Sequence, residues 1–185
     1  NTLFYENLIK KLNIYKLRSK VQINKIDKIY SFIIFGNIKR DKGTIIISAD
    51  PRKKNIGHKF IHESANPQIL DSFNEIDEDK YHEILIKNTV PFSHLDLQEN
   101  KSLLLENNFE NLNAIDWNKG CYVGQEITAR MKYRGLLKKK LYSLKLKTGN
   151  VLVGDELVIE NKKIGTVVSI ANSNVFAVLN INFAN

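Results

Sequence analysis

One cysteine stands in the 185 residues, Cys121, so an internal disulfide is excluded and the fold needs no oxidising compartment. Long apolar runs are absent too, and none approaches the ~20 residues that a membrane span requires. The first residues lack the cationic, apolar and small-residue succession of a signal peptide, so the expected setting is the cytosol or an organelle matrix. No internal repeat or low-complexity tract interrupts the chain. Metal-ligating residues are sparse: His58 and His62 lie four apart, but neither a second carboxylate motif nor another cysteine completes a zinc set. They read as ordinary surface histidines. A lone Cys121 likewise cannot hold a conventional four-thiolate cluster, so any contact with iron or sulfur would be transient or shared with a partner. What remains is an ordinary globular composition, 43% hydrophobic and 26% charged, with a net charge of +8. That excess of lysine could attract a polyanion, although the chain is rich in Lys, Asn and Ile together and much of the charge reads as solvated surface.

The apolar spacing of Leu3, Leu8, Leu12 and Tyr15 within Thr2–Lys16 predicts an amphipathic helix lying on a sheet. Lys20–Ile26, Ile29–Phe35, Thr44–Ser48 and Gly57–Glu63 read as strands, punctuated by Gly36-Asn37, Lys42-Gly43 and Asp50-Pro51-Arg52. Asp77 is placed to cap a helix that runs to about Lys87, with Pro91 beyond its end. Val90 to Asn113 has no period but many apolar residues, among them Leu95, Leu97, Leu103, Leu104, Leu105 and Phe109, which indicates burial. After Gly135 come four short strands, Leu141–Leu146, Glu156–Glu160, Lys163–Ile170 and Phe176–Ile181, at the spacing of a small barrel or sandwich. The expectation is an α+β layer over residues 1–137 and a C-terminal β-barrel over residues 138–185, with the boundary near Lys138.

The most specialised stretch is Lys119-Gly120-Cys121-Tyr122-Val123-Gly124-Gln125-Glu126. A thiol reacts best as thiolate, and a nearby cation or helix N-terminus favours that form. Lys119 supplies the cation. The spacing of Val123, Ile127 and Met131 predicts a helix starting just after Cys121. Gly120 and Gly124 clear side chains from the turn. Glu126 stands one turn before Arg130, the favourable order for an i,i+4 ion pair. Tyr122 could stack on a flat ligand or close the core, and Gln125 can donate and accept near Cys121. Lys132, Arg134, Lys138, Lys139 and Lys140 gather around Tyr133, a cluster suited to phosphates or to a glutamate tail, and equally to a solvated helix end.

The octapeptide resembles the K-G-C-Y-x-G-Q-E signature of the YgfZ family of folate-binding proteins, relatives of the glycine-cleavage T-protein (aminomethyltransferase), and Ile127 to Gly135 fits the same family. The likeness is close over Asn108 to Gly135 and loose elsewhere. It implies a T-protein-like fold, an antiparallel sheet with helices followed by a small β-barrel, of which an N-terminal segment would be missing here. The implied function is a tetrahydrofolate-binding accessory protein in iron–sulfur cluster assembly or repair. Its partners would be client enzymes or assembly factors, and its cofactor tetrahydrofolate or a one-carbon derivative. Two alternatives stay open: a folate-dependent one-carbon transferase, and an RNA-binding module acting in tRNA modification. The implied setting is the bacterial cytoplasm or, in a eukaryote, the mitochondrial matrix. Cys121 is the candidate reactive thiol with Lys119 beside it. By the same resemblance Glu106 is the first candidate to accept the paired N–H donors of a pterin, with Asn108, Tyr122, Gln125 and Glu126 as further folate contacts. Folate is expected in the main cavity with Cys121 at its mouth.

Overall fold

The computed structural model describes residues 4–183. The chain forms α1 (Tyr5–Tyr15), β1 (Tyr30–Ile34), β2 (Thr44–Ala49), β3 (His58–His62), a 3-10 turn at Gln68–Ser72, α2 (Glu78–Lys87), α3 (Ser93–Asp96), α4 (Gln125–Tyr133) and then β4 (Lys139–Lys145), β5 (Glu156–Ile159), β6 (Lys162–Ala171) and β7 (Asn174–Asn180). The strands make two antiparallel sheets, one in the order β1-β3-β2 and one in the order β4-β7-β6-β5.

Helix α2 joins the two halves. Asp77 caps it as its residue type demands, its carboxylate accepting the Lys80 N–H at 2.6 Å. Leu85 enters one core with Ile56, Val90 and Leu112, while the next residue, Ile86, enters another with Leu141, Ala171 and Phe176. A helix apolar on more than one face is a buried helix, and α2 is held between the loop core and the second sheet. Each fully buried Leu, Ile or Phe here contributes about 1.5–3 kcal/mol relative to exposure. A polar contact completes the join. The buried carboxylate of Glu83 accepts from Lys80 (2.9 Å), Lys87 (2.5 Å), Asn172 Nδ2 (3.0 Å) in the β6–β7 turn and Asn174 Nδ2 (3.1 Å) at the start of β7. These donors, Lys87 and Lys80 first, hold the Glu83 carboxyl down at about 2.

In the second sheet, strand alternation buries Leu141, Val167, Val175 and Leu179, and β7 is buried over four successive residues because it lies between β4 and β6. The expected barrel is an open sheet. Closure would require the two edge strands, β4 and β5, to pair, but β4 pairs only with β7 and the four-residue β5 only with β6.

The first sheet is thinner. Lys20–Ile26, expected as a strand, is irregular, with Val21 and Ile26 exposed and no pairing to the edge strand β1. Helix α1 forms as its periodicity predicts, yet no side chain in it is buried, so it does not lie on the sheet. Thr2 and Leu3 lie outside the described residues. His62 is no surface histidine. It is buried, its Nε2 is 3.1 Å from Asp41 Oδ1, and its Nδ1 accepts the Ser64 N–H at 2.8 Å. Gly43 makes this possible, since a Cβ there would overlap the ring. Among the described residues no group of three or more His, Cys, Asp or Glu is placed to hold a metal ion, and no helix is long and apolar enough to cross a membrane.

Candidate functional site

The octapeptide is an exposed turn leading into α4. Gly124 adopts φ +90°, a left-handed conformation that L side chains rarely take and that cannot be propagated as helix. Helix α4 therefore starts at Gln125, four residues after Cys121, and not directly behind the thiol as the apolar spacing suggested. The Gln125 N–H donates to Tyr122 O (3.2 Å), closing the turn. Cys121 is a free, exposed cysteine. Nothing lies within 4 Å of where a Cβ on Gly120 or Gly124 would sit, and Val123 is 87% exposed. Lys119 makes a contact with the ring of Tyr122. Its ammonium lies 4.4 Å from the centre of the Tyr122 ring.

Further along α4, Glu126 and Arg130 form the expected i,i+4 pair at 2.5 Å, with both side chains exposed, an interaction worth about 0.3–0.5 kcal/mol. Lys132 is paired as well, to Glu110, so the basic cluster around Tyr133 is not a run of free cations. Met131 and Thr128 are the buried positions of α4, and Ile127 stays 59% exposed.

Glu106 and Asn108 lie apart from this turn, in the irregular segment that packs on β4. The backbone carbonyl of Glu106 accepts from Leu141 N (2.7 Å). Its side chain is half-buried and has no hydrogen-bond partner among the described residues. Asn108 is buried at φ +64° and its amide donates to Leu141 O at 2.8 Å, so that donor fixes the segment to the sheet. Asn108 also lines a recess of 320 Å³ with Glu110, Met131, Lys132 and Lys140. The five folate candidates thus do not meet in one cavity: two lie behind β4, three on the outer turn.

A larger cavity than this recess lies elsewhere. An open groove of 1370 Å³ runs along the free edge of β1, between Phe32–Phe35, the Asp50-Pro51-Arg52 turn, the stretch Ala65–Glu78, Tyr81 and Phe92. No residue of the octapeptide borders it, so Cys121 is not at its mouth. Tyr81 meets Phe35 and Phe92 edge to face, at 6.3 and 6.2 Å between ring centres. Arg52 grips Asp50 with two nitrogens, Nη2 to Oδ2 at 2.7 Å and Nε to Oδ1 at 3.0 Å. Burial works to raise the Asp50 carboxyl, but the Arg52 side chain and backbone N–H outweigh it and hold the group below its usual value. Burial raises the Tyr81 phenol. In the sequence, Asp50-Pro51-Arg52 reads only as a strand-breaking turn, and its ion pair against a tyrosine thirty positions away carries no local signal.

Sequence reasoning also passed over the only tryptophan. Trp117 Nε1 donates to Glu110 Oε1 (2.9 Å), the Lys132 ammonium bonds to the same oxygen and lies 5.4 Å from the centre of the indole, and Tyr133 meets the indole edge to face at 5.9 Å. Lys132 leads in holding the Glu110 carboxyl low, against burial and with help from Trp117.

No family model matches the sequence. Curated relatives do. The chain is 28% identical over 149 residues to "Iron-sulfur cluster assembly factor IBA57, mitochondrial" of Mus musculus, covering 75% of this chain and 42% of that protein. It is 35% identical over 136 residues to the IBA57 homolog of Mycosarcoma maydis, covering 70% of this chain and 33% of that protein. To the Dictyostelium discoideum homolog it is 28% identical over 179 residues, covering 85% and 43%. Homologues of this chain are therefore iron–sulfur cluster assembly factors, and the chain spans less than half the length of each of these three.

Proposed function

We propose that the chain belongs to an iron–sulfur cluster assembly factor that binds a folate and uses Cys121 as a functional thiol. One observation carries the reading. The octapeptide, whose residue types suit thiol chemistry, stands in the open as an unpacked turn in a chain homologous to proteins named for cluster assembly. A turn kept free of packing is available to a partner, and a single exposed thiol suits a shared or transient contact with iron or sulfur better than a resident cluster. The mitochondrial names of the relatives support a matrix location in a eukaryotic cell.

Folate is the second part of the proposal. The groove along β1 suits a flat heteroaromatic ligand better than the dispersed folate candidates do: it has aromatic walls in Phe35, Tyr81 and Phe92, and its carboxylates Asp71, Glu75 and Glu78 suit the N–H donors of a pterin rather than an anionic tail. When bound, tetrahydrofolate would supply one-carbon chemistry, while these residues would only hold and orient it. Glu106, whose carboxylate has no hydrogen-bond partner among the described residues, is the competing anchor.

Two measurements test the reading. Tetrahydrofolate and its one-carbon derivatives are titrated into wild type, Tyr81→Ala and Glu106→Gln. Loss confined to Tyr81→Ala supports the groove, whereas a loss of about 1–3 kcal/mol in Glu106→Gln moves the pterin to that carboxylate. Absence of folate binding by the wild-type full-length protein rejects the folate part. Separately, Cys121→Ser is expected to lower the activity of a client iron–sulfur enzyme in cells at unchanged protein abundance. Full client activity would reject the thiol part.

A further inference from the structure

The octapeptide turn is loose in itself, yet both of its ends are tied to one helix. At its C-terminal end Gln125 is the first residue of α4 and its N–H closes on Tyr122 O. At its N-terminal end Trp117, two residues before Lys119, is held against the last turn of the same helix by Lys132 and Tyr133. Residues 118–124 therefore run back along the nine residues of α4 as a strap fastened at both ends.

The N-terminal fastening converges on one oxygen. Glu110 Oε1 accepts from the Trp117 indole and from the Lys132 ammonium, and that ammonium also lies against the indole ring. Glu110 stands on a rigid base. Leu105 and Leu112 on either side of it are buried, and Asn108 is bonded to Leu141 O of β4. Lys140, on the adjoining strand, is the other cation facing this carboxylate and shares the small recess with it. No comparable group restrains the middle of the strap, where Gly120 and Gly124 have open space around them.

We infer that Glu110 is a positioning residue for the motif turn. It locks Trp117 to α4 through Lys132, and so sets where the strap presents Cys121 to a partner. The lock itself is independent of what Cys121 does. Its consequence for activity rests on the proposed role of that thiol.

Trypsin and fluorescence read the strap directly, because Lys119-Gly120 is a tryptic bond inside it and Trp117 is the one tryptophan of these 185 residues. The full-length protein, with any tryptophan outside these residues replaced by phenylalanine, is compared with Glu110→Ala and Lys132→Met in the same background; methionine keeps an apolar stem beside the indole and removes the charge. In both variants cleavage after Lys119, followed by mass spectrometry, is expected to accelerate about fivefold, and acrylamide quenching of Trp117 to rise about twofold, with the melting temperature held within about 2 °C. Client-enzyme activity in cells should fall in Glu110→Ala at unchanged abundance. Unchanged cleavage and quenching overturn the lock. So does a melting temperature that falls in step with cleavage, which would make Glu110 a residue of the fold. Should Glu110→Ala not fold, Lys132→Met decides by the same criteria. Loosening with full client activity overturns the positioning role. If Cys121→Ser proves harmless, the thiol reading fails while the strap measurements still decide the lock.

Discussion

Two carboxylates in this chain each collect several donors, and their settings differ. Glu83 is buried between α2 and the β6–β7 turn, where four side-chain nitrogens meet it and two parts of the chain are drawn together. Glu110 gathers an indole and an ammonium at the foot of an exposed turn that has open space around Gly120 and Gly124. The first arrangement serves stability. A buried ion needs all its partners, because each one removed leaves charge or amide unsatisfied. The second leaves its neighbouring turn free and controls only its placement. In this chain the fold is secured around α2 and the second sheet, and the residues suited to chemistry are left outside that core.

The comparison breaks most plainly if the second sheet proves dispensable. Phe176→Ala, at a position with no exposure, should cost about 3–5 kcal/mol in denaturant unfolding. A loss below about 1 kcal/mol would mean that the α2–sheet core does not hold the fold.

The Glu83 clamp sharpens it through pH. Its carboxyl titrates near 2 in the folded state against an ordinary value of 4.5, so the unfolded chain takes up the proton first as pH falls. The stability it contributes is fully present above about pH 4.5 and is lost as pH drops from there toward about 2. Glu83→Gln should be less stable at neutral pH and lack that component of acid sensitivity. Equal slopes of stability against pH between pH 4.5 and 2 in the two proteins would show that the clamp is not formed.

A smaller effect is expected at Asn108, whose amide ties the irregular segment to Leu141 O. Asn108→Ala should cost about 1–3 kcal/mol by leaving that carbonyl unpaired. Thermal melts check this, and if Asn108 were instead a ligand contact only, stability would hold while folate affinity fell.

The smallest effect belongs to the turn. Cys121→Ser, at an exposed position, should change stability by no more than about 0.5 kcal/mol. A melt shifted well beyond that would contradict the division between core and turn.

Most individual elements were legible in the sequence because their signals are local. Asp77 and Pro91 bracket α2, the β-rich run Ile29–Phe35 before Gly36-Asn37 gives β1, and the i,i+4 order of Glu126 and Arg130 gives their pair. The octapeptide stood out for the same reason, since eight consecutive residues hold its identity. Local pattern also misled. Val123 and Ile127 have the spacing of a buried helix face yet are exposed, and Gly124 delays the start of α4.

By itself, the sequence determined most of the helices and strands, though not the irregular run Lys20–Ile26, that no internal disulfide or apolar span is needed, and where the one specialised motif lies. Tertiary structure alone decided that the second sheet stays open, that α1 buries no side chain, that His62 is buried, and that Glu106 and Asn108 stand apart from the motif. It also made the Glu83 clamp, the Asp50–Arg52 pair facing Tyr81 and the Glu110–Trp117–Lys132 lock. The physical reason is range. Propensity, capping and periodicity act over one or two turns, whereas each of these contacts joins side chains brought together by the folded backbone, and its energy exists only once that backbone is in place.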